Sequence, residues 1–89
     1  SSCIVYSTAG LNTSQKTTIS CSPNPVINQL QIHSDEAINV IEIFSLHGEK
    51  QLTFKSENTI YMSQLSSGVY LVHVTTVSGE KSILRVVKQ

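Results

Sequence analysis

An all-β fold, an immunoglobulin-like antiparallel β-sandwich of seven or eight strands, follows from three features of this 89-residue sequence. Short runs rich in β-branched and aliphatic residues alternate apolar with polar positions, the period of a strand with one buried face. Turn-forming clusters separate these runs about every ten residues, the spacing of a small sandwich. No segment repeats apolar residues at helical spacing. The longest clean alternation is Leu65–Val74, where Tyr70, Val72 and Val74 share one face just after Gly68. Its spacing is that of a tyrosine corner, in which the ring enters the core at the start of a strand and the hydroxyl bonds back to upstream backbone. An ordinary strand after an ordinary turn is the competing reading.

In chain order, Ile4–Tyr6 forms a short strand that gives way to a polar loop from Ser7 to Ser14. Thr17–Cys21 is β-branched and forms a second strand returning toward the first. Cys3 and Cys21, the only cysteines, are a candidate disulfide between these neighbouring strands, with two reduced buried thiols as the alternative. Pro23 and Pro25 lack the backbone donor a central ladder needs, so Pro23-Asn24-Pro25 is a lead-in turn. Val26 to His33 is the next strand, with Leu30 and Ile32 inward. After the polar break Ser34-Asp35-Glu36, the Ile38–Leu46 strand puts Ile41 and Ile43 on one face and Val40, Glu42, Phe44 and Leu46 on the other. Apolar residues on both faces make it central.

His47–Lys50 is a hairpin turn around Gly48, and Leu52 with Phe54 mark the partner strand. Ser56-Glu57-Asn58 turns again, and Ile60 with Met62 mark a brief strand. The Leu65–Val74 element follows, then the turn Val77-Ser78-Gly79-Glu80. The last strand, Lys81 to Lys88, sets Lys81, Ile83, Arg85 and Val87 on one parity against Leu84 and Val86 on the other. Its basic residues suit an edge strand protected against edge-to-edge pairing.

Length allows one domain, 1–89, with one compact core and modest stability. Six basic residues balance six acidic ones, which removes the long-range field expected of a nucleic-acid or anionic-membrane binder. No apolar run reaches the roughly 18 residues of a membrane-spanning helix, so direct membrane insertion is not expected. No charged segment followed by an apolar stretch opens the chain, and an export signal is expected upstream of it.

The residues of common active sites are present but not arranged as sites. Asp35 is the only aspartate and lies in a turn; Glu36, Glu42, Glu49, Glu57 and Glu80 read as turn or solvent-face residues, not as a hydrolytic pair. The turns at Gly48 and Gly79 lack phosphate-binding spacing. His33, His47 and His73 read as surface or edge groups, and two cysteines eighteen positions apart without a histidine pair do not make a zinc site. The expectation is a non-catalytic domain without metal or cofactor.

Taken together, Ser22-Pro23-Asn24-Pro25, Ile41–Glu49, Leu65–Val72, Ser78–Lys81 and a basic terminal strand, in this order, resemble the type A C-terminal sorting domain of type IX (Por) secretion cargo. The resemblance covers 22–89 and leaves 1–21 as N-terminal strands or a linker to cargo. Where that family often carries an aspartate before its second turn, this chain has Ser45. The resemblance implies an address rather than a reaction. The domain would direct cargo from the periplasm through an outer-membrane translocon to the cell surface or medium, where a sortase-like peptidase commonly removes it. It also implies translocon recognition through Gly68, Tyr70, Gly79, Lys81, Arg85, Val86, Val87 and Lys88. A terminal strand at a sheet edge could be read by strand addition, and the same free edge would allow a homodimer. The rival class is an adhesive or structural immunoglobulin-like module binding protein or glycan. Against it, the chain has no tryptophan, and its three tyrosines and two phenylalanines mostly fit strand cores.

Overall fold

The structure, a computed structural model, describes the backbone of residues 4–9 and all of residues 19–89. The described residues form eight strands, β1 (Ile4–Ala9), β2 (Ile19–Ser22), β3 (Gln29–Ser34), β4 (Ile38–Ser45), β5 (Lys50–Lys55), β6 (Thr59–Tyr61), β7 (Gly68–Thr76) and β8 (Lys81–Lys88). They form a five-stranded sheet, β1-β8-β7-β4-β5, and a three-stranded sheet, β2-β3-β6. Every ladder is antiparallel. No helix occurs among the described residues.

The alternation seen in the sequence becomes the core. Ile41 and Ile43 of β4, Tyr70, Val72 and Val74 of β7, and Leu84 and Val86 of β8 turn inward from the large sheet. They meet Ile19 and Cys21 of β2, Leu30 and Ile32 of β3, and Ile60 with Met62 from the small one. Leu52, Phe54 and Leu65 pack around this cluster. Most of these side chains are wholly buried, and removing such apolar area from water is the main force holding the layers together. β4 lies inside the large sheet, between β7 and β5, as expected.

Several sequence expectations are corrected. Ser7–Ala9 continues β1 instead of starting a loop, pairing with Ile83, Ser82 and Lys81. β2 does not return to β1: it pairs with β3, and the two N-terminal strands lie in opposite sheets. The third strand begins only at Gln29, because Val26 instead forms a parallel bridge with Lys88. Leu46 has left its strand for the β4–β5 turn and is 59% exposed.

The largest correction concerns the terminal strand, which is not a free edge. β8 lies between β7 and β1, and its last residues are bridged by Val26. The basic residues were misleading because side chains along a strand report which sheet face is wet, whereas edge position depends on backbone pairing from distant segments. A homodimer through a free terminal edge loses its structural basis for the same reason.

Candidate functional site

At one end of the sandwich the start of β7 meets the finish of β8. The Tyr70 hydroxyl donates to the Ser66 carbonyl at 2.8 Å and lies 3.4 Å from the Ser66 hydroxyl. With the ring buried, this is the tyrosine corner the spacing predicts, fixing the loop between β6 and β7. Gly68 opens β7 at φ 155°, and nothing lies within 4 Å of where a Cβ would stand. Backbone conformation, not space, therefore favours glycine there.

Gly68 pairs with Lys88. Lys88 falls on the inward parity of Leu84 and Val86 and is only 7% exposed, its ammonium donating to the Gln89 carbonyl at 2.7 Å. The other side of this terminus is clamped by the proline turn. The Val26 amide donates to the Val87 carbonyl at 2.8 Å, the Gln89 amide to the Val26 carbonyl at 2.8 Å, and the Val87 amide to Asn24 Oδ1 at 2.9 Å. Pro23 and Pro25, both preceded by cis peptide bonds, flank the asparagine that caps a strand 63 residues away. Sequence reading missed Asn24, since a turn asparagine carries no mark of a long-range acceptor.

The expected recognition residues do not gather at one point. Gly68, Tyr70, Val86, Val87 and Lys88 lie at the clamped end, whereas Gly79 and Lys81 lie at the far end of the β7–β8 ladder, Thr75 pairing with Lys81. At a rise of about 3.4 Å per residue, the two ends are roughly 24 Å apart. Gly79, at φ 95°, belongs to a turn closed by its own amide on the Thr76 carbonyl at 2.9 Å and by the Thr76 amide on the Glu80 carbonyl at 2.9 Å. Arg85 lies between the ends and is exposed, like Lys81, while Ile83 and Val87 beside them are half-buried. Val86 is fully buried.

Charge is balanced in sum, with the acidic groups divided between the outer face of the large sheet and one end of the sandwich. Lys81 and Arg85 stand on the outer face of the large sheet, and Lys50 reaches Glu42 on that face at 3.1 Å. His73, in register with Glu42 and Ile83, packs its ring 4.4 Å from that of Phe44. Burial pushes its pKa below 6.5; Glu42 opposes the shift and Lys81 adds to it. Asp35, Glu36 and Glu57 instead line an open cleft at the end where Gly79 turns. There Ser78 donates to Glu36 at 2.8 Å. No cluster able to hold a metal ion occurs among the described residues.

Cys21 is fully buried and disulfide-bonded. Its expected partner, Cys3, lies outside the described residues.

A family model described as secretion system C-terminal sorting domain matches residues 20–89, which span β2 to β8. No curated protein and no solved structure matches the chain.

Proposed function

The chain belongs to the family of secretion system C-terminal sorting domains, which carry the export address of type IX secretion cargo, and from that premise we propose how the address is presented. Such domains are recognised by the type IX system, and its substrates reach the cell surface or the medium. The reader is the outer-membrane translocon, met after transit through the periplasm, and a sortase-like peptidase acts on the domain at the surface. The domain itself catalyses nothing. Residues 1–89 act as one domain, because β1 belongs to the same sheet as β8. Cys3 is the partner of Cys21, a link suited to an oxidising periplasm.

The recognised feature is the wet face of β8, carried by Lys81, Arg85 and Val87, while Gly68, Tyr70, Gly79, Val86 and Lys88 hold that face in place. The observation that carries this reading is the clamp on β8. With the strand paired to β7 and its other edge covered by β1 and the Asn24–Val26 segment, an approaching protein meets side chains before backbone. Two exposed cations flanking half-buried Ile83 suit an acidic receptor surface with an apolar centre.

The test fuses residues 1–89 behind a fluorescent reporter carrying an N-terminal export signal, in a bacterium with a type IX system. The parent fusion reaches the surface. K81E/R85E strands the reporter in the periplasm while the purified domain keeps its denaturation midpoint, since both side chains are exposed. Undiminished surface display of K81E/R85E would remove this face from recognition.

A further inference from the structure

We infer that β1 is a detachable cover over the β8 edge, so that the terminal strand is a strand-acceptor site occupied in the resting domain by the chain's own Ile4–Ala9. The inference goes beyond the side-chain reading above and depends on it only for its meaning in export. It rests on how the outer edge of β8 is closed. Lys81 to Arg85 pair with β1, whereas Val87 and Gln89 are held by Asn24 and Val26. The second cover lies within the family-matched residues 20–89, and the first lies outside them.

In backbone pairing β1 is also the more weakly tied of the two neighbours of β8. Among the described residues it stands at the sheet margin with β8 as its only ladder partner. That ladder is interrupted by a register shift between Val5 and Ser7, which leaves no long uninterrupted run of pairs to break. Among the described residues the next strand, β2, pairs in the opposite sheet, so β1 forms no hairpin with it. On its other side β8 pairs with β7 continuously from Gly68–Lys88 to Thr75–Lys81. Release of β1 thus bares the backbone of Lys81–Arg85 while the strand stays in the sheet. A row of unpaired N–H and C=O groups on a held strand is what an incoming extended segment needs. A Cys3–Cys21 link would keep a released β1 near its edge and make the cover reversible.

The test uses the full chain with S7P/T8P. Successive strand amides point to opposite sides, so one of these two prolines removes a donor on the β8 side whichever way the ladder runs. Amide exchange is followed at Lys81–Arg85, with Val87, Gln89 and the β4 amides as internal references. A synthetic peptide of the Ile4–Ala9 sequence serves as the strand donor in trans. The expected result is exchange about tenfold faster or more at the β1-facing amides of Lys81–Arg85, unchanged references, and protection restored by the peptide. Unchanged exchange at Lys81–Arg85 would show that β1 does not guard the edge. Acceleration across the references would show that β1 is integral to the fold, and failure of the peptide to restore protection would show that the bared edge accepts no strand. No secretion machinery enters the measurement, so its failure is distinct from failure of the address reading, which surface display decides.

Discussion

Tyr70 links sequence to shape through one hydroxyl. Replacing it by phenylalanine keeps the buried ring and removes the 2.8 Å bond to the Ser66 carbonyl and the 3.4 Å contact with the Ser66 hydroxyl. Tyr70→Phe should therefore cost about 1 kcal/mol, read as a lower urea midpoint at constant m value. Tyr61→Phe, whose residue is 55% exposed, should leave the midpoint unchanged; equal losses would remove the corner from the stability account. The corner was legible because a glycine, a spacer and a tyrosine at a strand start are local features. Ser45 shows the same locality: its hydroxyl accepts from the His47 and Glu49 amides at 3.2 and 3.3 Å, as an aspartate side chain would in such a turn. Lys88 is buried on the inward parity of Leu84 and Val86, a parity visible in the sequence. A lysine at a chain end suggests water, yet its stem can lie along apolar surface while the ammonium finds a carbonyl.

Among the elements, β3 to β7 were legible to within a few residues, because each turns one apolar row inward and ends at a turn residue. β1 and the pairing of β8 were not. Ser7–Ala9 has no apolar alternation, and its strand character comes from the backbone of a segment more than seventy residues away. The Ser22–Val26 stretch looked like a bare turn, yet Asn24 closes the same edge further along. Asn24→Ala removes that acceptor and leaves the Val87 amide without its partner. The expected cost is about 1–2 kcal/mol, with faster exchange at Val87 and none at the β1-facing amides of Lys81–Arg85. Exchange rising equally along all of β8 would mean that the two covers act as one unit, contrary to the separation on which the detachable β1 depends.

For the whole molecule, zero net charge hides two exposed cations, Lys81 and Arg85, on one face and an acidic cleft at one end, so composition could exclude a uniform field but not local charge. Among the described residues the two sheets share a single apolar interior. That interior should make the β2–β8 body unfold in one step. Leu30 in the small sheet and Leu84 in the large one are both fully buried, so Leu30→Ala and Leu84→Ala should each cost about 2–5 kcal/mol. In a domain this small either loss is a large part of the total. Backbone NMR signals from β3 and β7 should vanish at one common urea concentration in each variant. If Leu30→Ala instead melted β2, β3 and β6 while β4, β7 and β8 persisted, the large sheet would be a stable platform by itself. The address face on β8 would then not need the second layer to keep its shape.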